Sequence, residues 1–330
     1  MCFLHALHGH DTIDYAAELA NFAPGRDALE LILTAYDAAA ADDAGEAGAV
    51  LDIVAGIVRR LFERGHVGSF LGADVGPMQV TLLRVLADVL QERVDECKKA
   101  AIAPLPRAAV APLAWQLTQL AAFARDVMES HMRGDATDLR GLIRAHVALV
   151  ALLDALTSVA TSGHEAGTGD AARLAELRED RLLEETVRLL HTAHAFFPAQ
   201  SPFRGAPAGD APDGHVLSST GRASAADAPA RPALHTLKRS IIRLIGALAF
   251  CPPGTKRTQA VASVQDRVRE AGGLMDVLGA TVLDESNPCA STLTDMREHA
   301  IFALRALLDR NQASQALIAE LRPVEPDAAS

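Results

Sequence analysis

The sequence predicts an all-α protein, and three observations predict it. Alanine and leucine, both strong helix formers, dominate the 330 residues. Aromatic residues make up only 4%, and few stretches show the period-two alternation of β-branched residues that marks strands. Apolar residues instead recur at three- and four-residue intervals almost continuously from about residue 12 to 197.

Taken in order, the helical segments are DTIDYAAELANF, RDALELILTAYDAAAA, AVLDIVAGIVRRLFERG and MQVTLLRVLADVLQERVDECKK. APLAWQLTQLAAFARDVMESHM, LRGLIRAHVALVALLDALTSVA and ARLAELREDRLLEETVRLLHTAHAFF follow. Their breaks carry helix-stopping chemistry: Pro24-Gly25, Gly72 to Pro77, and Pro104 with Pro106. Short connections make consecutive helices antiparallel neighbours. The composition then shifts. Residues 199–232 are rich in Pro, Gly, Ala and Ser with scarcely a large apolar side chain, so a disordered insert is expected there. Helical pattern resumes at once with LHTLKRSIIRLIGALAF.

The C-terminal part decides the architecture. LKRSIIRLIGALA (237–249) overlays MREHAIFALRALL (296–308), with Ile242 on Ile301, Ile245 on Leu304 and Leu248 on Leu307. The offset exceeds the roughly 40–47 residues of an armadillo or HEAT repeat. Two turn-rich stretches, CPPGTKRTQA and NPCASTLTD, account for the excess. Between the copies, QDRVREAGG ends a helix. Gly272 suits a left-handed cap, and Gly273 lets the next helix turn sharply against its predecessor. The pair is the structural corner of a repeat unit. The predicted fold is an armadillo/HEAT-like α-solenoid, a superhelix of helical repeats. It comprises N-terminal repeats over 1–198, the insert, a C-terminal helical domain over 233–322 and a flexible tail over 323–330.

Charge and motifs narrow the function. A net charge of −11 argues against a nucleic-acid binder, which needs a basic footprint. Four scattered cysteines without C-x-x-C spacing suit reduced thiols and a cytoplasmic location. MCFLHALHGH is too short and too rich in histidine for a signal peptide. The longest apolar run carries Asp154 at its middle and falls short of a membrane span. There is no G-x-S-x-G, Walker A loop, H-E-x-x-H or dinucleotide fingerprint, so no enzyme and no cofactor is expected. His5, His8 and His10 lie close enough to take a transition metal, but a solvated terminus is the stronger reading. His191 and His194 read as ordinary core or surface histidines.

Two further sites are candidates for partner binding. Lys238, Arg239 and Arg243 fall on the helix face away from Leu237, Ile241, Leu244 and Leu248, so they are expected on an exposed surface that an acidic segment of a partner would meet. Solubility is the competing account of that trio. SPFR at Ser201 to Arg204 has the Ser-Pro-x-Arg form that cell-cycle kinases favour. Phosphate on Ser201 would add about −1.5 to −2 charges and dock on a basic patch such as Arg239/Arg243.

LKRSIIRLIGALA, QDRVREAGGL, DESNP and MREHAIFALRALLDRNQASQALIAEL together resemble the C-terminal domain of the ataxin-10 family over about residues 235–322, with the blocks in the family's order. Residues 1–198 match it only as compatible helical pattern. The resemblance implies a cytoplasmic, armadillo-like, non-enzymatic scaffold that binds protein partners and acts in the regulation of cytokinesis, hence in cell division and the cell cycle. Two departures stand out. Ala247 and Ala306 occupy places where family members carry asparagine, which removes an amide that would clamp a peptide backbone. His299 stands in place of a tryptophan. The alternatives are a copper-handling protein, a name one fungal branch carries, and a transport-receptor-like binder of basic peptides.

Overall fold

The computed structural model describes residues 19–20, 23–40, 47–72, 76–97, 107–135, 139–165, 177–178, 180–196, 236–281 and 293–321. Every regular element among them is helical, and no strand occurs there. Helices α1 (Ala23–Ala40) and α2 (Ala47–Glu63) lead through a 3₁₀ turn (Val67–Phe70) to α3 (Pro77–Cys97). Then come α4 (Arg107–Met132), α5 (Leu139–Glu165) and α6 (Asp180–Phe196). The C-terminal part holds α7 (Thr236–Ala249), α8 (Gln259–Glu270), α9 (Gly273–Gly279), α10 (Leu293–Leu308) and α11 (Gln312–Ala319).

The helices begin where the sequence punctuates. Pro77 opens α3, where its fixed φ is an asset and its missing N–H is no loss. Pro112 lies inside α4 and presses its ring on the 3₁₀ turn, because a Cβ at Gly68 would come within 2.8 Å of the Pro112 Cβ. α6 begins at Asp180, after a turn at Arg178. The Arg178 carbonyl accepts a hydrogen bond from Arg267 Nη2 at 2.7 Å, so it serves a distant helix.

Packing links alternate helices as well as consecutive ones. α3 packs on α1, α5 on α3, α7 on α5 and α10 on α7. On the other side α4 packs on α6, and α6 meets α8 and α9. Consecutive contacts of α4 with α5 and α6 with α7 tie the two sets together. One continuous apolar core results, running from Leu19 through Leu86, Leu117, Leu152 and Leu190 to Leu307. Contrary to the expectation that this run falls short of a membrane span, α5 is long and apolar enough to cross a membrane, but most of that stretch is buried inside the protein. The core lies between helices, so any surface they offer a partner comes from the sides left uncovered.

The predicted insert at 199–232 and tail at 323–330 lie outside the described residues, as do His5, His8, His10 and Ser201.

Candidate functional site

The residues expected to meet a partner lie on α7, and the structure corrects that expectation. All fourteen residues of α7 except Thr236, Arg239 and Arg243 are buried. Lys238 is only 4% exposed, and Arg239 is half-buried. Arg243 Nη1 lies 3.0 Å from Asp154 Oδ1 on α5, and Ser240 Oγ donates to the same oxygen at 3.1 Å. The basic trio is therefore no open patch. The periodicity argument assumed one apolar stripe facing one neighbour, whereas α7 has α5, α6, α8 and α10 packed around it. A helix covered on several sides buries its polar stripe too, and each buried charge then needs a partner.

Asp154 is the partner the sequence half announced. A carboxylate at the middle of an apolar run is costly unless something neutralises it. Its partner stands 89 positions along the chain, and no local signal marks it. The same holds for Arg178, which is buried and donates through Nε to the Leu248 carbonyl at 2.9 Å. That bond places a cation at the C-terminal end of α7, where unpaired carbonyls favour one. Burial lowers the pKa of this guanidinium, against a smaller opposing effect from Cys251.

The glycine corner has definite geometry. Gly272 has φ 82°, between the C-cap Ala271 of α8 and the start of α9. Gly272 N–H donates to Arg269 O and Ala271 N–H to Arg267 O, which satisfies the last carbonyls of α8. At Gly273 a Cβ would stand 2.9 Å from Val187 Cγ1 on α6 and 3.1 Å from Val268 Cγ1 on α8. The missing side chain is what lets α9 approach both helices. Asp276, one turn into α9, then reaches His191 on α6, with Oδ2 3.4 Å from Nδ1. Burial raises the Asp276 pKa above its ordinary value, while His191 and Lys238 pull it down. His191 thus faces a carboxylate, and no cluster of three metal-ligating side chains occurs among the described residues.

Polar side chains also fasten the last helices. Gln265 Nε2 donates to Ala306 O at 2.7 Å and to Asp309 O at 3.2 Å, closing the end of α10 against α8. Asn311 accepts from Ser314 N–H as the N-cap of α11 and donates to Asp266 Oδ1 at 3.0 Å.

Residues 237–330 match the family model described as the spinocerebellar ataxia type 10 protein domain. Over this segment the chain is similar to the C-terminal domain of the ataxin-10 family. Comparison with curated proteins and with solved structures returns no match. Within the ataxin-10-type domain, Ala247 and Ala306 are each 6% exposed, so both methyl groups are packed and neither place presents a side-chain amide. His299 on α10 is half-buried. The domain is not closed on itself: its first helix, α7, is shared with α5 and α6, which precede the matched segment.

Proposed function

We propose that the chain is a non-enzymatic protein-binding scaffold of the ataxin-10 type, acting in the cytoplasm in the regulation of cytokinesis. The match of residues 237–330 to the ataxin-10 domain carries this reading. Its architecture is an armadillo/HEAT-like solenoid. In support, each of α3, α5, α7 and α10 packs on its predecessor in that series, and a single core passes through all of them. Helical units stacked in that manner contact mainly their neighbours and leave long uncovered faces, a geometry suited to holding a partner.

Affinity capture from dividing cells tests the proposal, comparing the intact chain with one lacking 199–232. The expected result is a shared set of captured proteins and a tagged chain that concentrates at the division site. Loss of every partner on the deletion would move the binding function to the insert. An intact chain that captures nothing, together with normal division after its depletion, would remove the scaffold reading.

A further inference from the structure

Deepening the scaffold reading on which it rests, we infer that the C-terminal ends of α7 and α10 form a docking surface for an acidic protein segment bearing one apolar anchor residue. The apolar half of the surface is an aromatic pair. Phe250, just past α7, and Phe302 on α10 have ring centroids 5.6 Å apart and planes inclined by 34°. Phe302 nonetheless remains 43% exposed. Its ring lies over Gly246, where a Cβ would come within 3.1 Å of Phe302 Cδ1 and of Ala303 Cβ. The glycine lets α10 close on α7 and seats the exposed ring on backbone. An aromatic side chain already held in place loses little freedom when a partner covers it.

The charged half lies beside it. Arg305 is exposed three residues after Phe302, on the same side of α10. At the end of that helix, Arg257 Nη1 donates to Arg310 O at 2.8 Å, and Arg310 Nη1 donates to Thr255 O at 3.1 Å. The two arginines thereby clamp the loop containing the exposed Lys256 to the end of α10. Arg310 has φ 53°, a left-handed conformation more usual for glycine. Among the described residues, Asp309 is 3.8 Å from Arg310, and Asp266 is engaged by Asn311 and Arg269. Glu298, exposed one turn before Phe302, bounds the patch on its other side.

In a chain of net charge −11 this is a local reversal of sign, complementary to a short run of Asp and Glu. A short acidic segment feels the local charge. A long polyanion such as a nucleic acid feels the whole negative molecule as well, and a single aromatic pair stacked on itself offers no succession of base platforms. The carboxylates of the segment would lie toward Arg305 and Lys256, with its apolar residue on Phe302.

The test is fluorescence anisotropy of a labelled peptide of Asp and Glu around one Leu, titrated with the full chain. Lys256→Glu with Arg305→Glu, and separately Phe302→Ser, should each weaken binding roughly tenfold or more. Arg310→Gly keeps the backbone preference but removes the bond to the Thr255 carbonyl, so the loop carrying Lys256 should loosen and affinity should fall. A peptide with Lys in place of the acids, or with Ser in place of Leu, should bind far more weakly. Equal binding by all variants, equal binding of the lysine peptide, or preferential binding of a single-stranded oligonucleotide or anionic phosphatidylserine vesicles would overturn the inference. Should the intact chain capture partners from dividing cells and the Phe302→Ser, Arg305→Glu chain capture the same ones, this surface fails while the scaffold reading stands. An intact chain that captures none removes the scaffold itself.

Discussion

Asp154 shows what a single charge does in an apolar helix. With its own side chain and that of Arg243 both less than one-third exposed, removing either leaves the other charge poorly solvated. Asp154→Ala should cost roughly 1–3 kcal/mol in urea denaturation, and a double-mutant cycle with Arg243→Ala should show positive coupling. Purely additive losses would mean the pair is incidental. The two corner glycines fail differently. Gly272→Ala forces a side chain into the left-handed region and should cost roughly 1–2 kcal/mol whatever its neighbours. Gly273→Ala should cost roughly 1–3 kcal/mol by overpacking, and Val187→Ala in the same chain should relieve it but not the Gly272 variant. Asp276 gives a pH signature. Its folded value lies above the ordinary 3.8, so the folded state holds this proton more tightly than the unfolded chain does. Its contribution is complete below the unfolded value and is lost as pH rises through the raised folded value. Relative to Asp276→Asn, the parent should therefore lose stability as pH climbs from 3.8 into that range. Parallel stability curves for the two proteins would refute this.

At the scale of the element, α7 is the hinge of the argument. It opens the ataxin-10-type domain, yet one of its sides belongs to α5 and another to α6. Cut away from residues 1–198, a fragment spanning 233–330 would expose Ile241, Leu244 and Ile245 wherever those helices covered them, and would strand Arg243 without Asp154. Such a fragment should unfold without a sharp transition and bind a hydrophobic dye, and adding the 1–198 fragment should restore cooperativity. A cooperative melt of 233–330 alone at the parent's temperature would show that the domain stands by itself. The helices themselves were legible. Apolar spacing and Pro or Gly breaks located α1 to α5 and α7 within a few residues, because those signals act within one or two turns. The partners of Arg178 were not legible, since Leu248 and Arg267 both lie far along the chain.

For the whole molecule, helices that pack two apart in sequence should build an object longer than it is wide. A compact chain of this size has a radius of gyration of about 20 Å. Small-angle scattering of the chain lacking 199–232 should give a clearly larger value with an elongated distance distribution. A value near the compact one would argue for a closed bundle and against the stacked array. In such an array one long core would be compatible with the proposed partner-binding role: helix faces turned inward make the core, and those left over make the surface.

Local order, then, was written in the sequence: helix content, most boundaries, the glycine corner and the resemblance of the last helices to a known domain. Each depends on residues within a few turns of one another. The tertiary structure alone decided which charges meet solvent. Lys238 and Arg243 looked like the polar face of an ordinary amphipathic helix, and that reading holds only when one side of the helix is covered. Four helices pack around α7, so its polar stripe turns inward and Arg243 meets an acid 89 positions away. The basic patch proposed at the end of α10 likewise draws on a loop and a turn that only folding brings together.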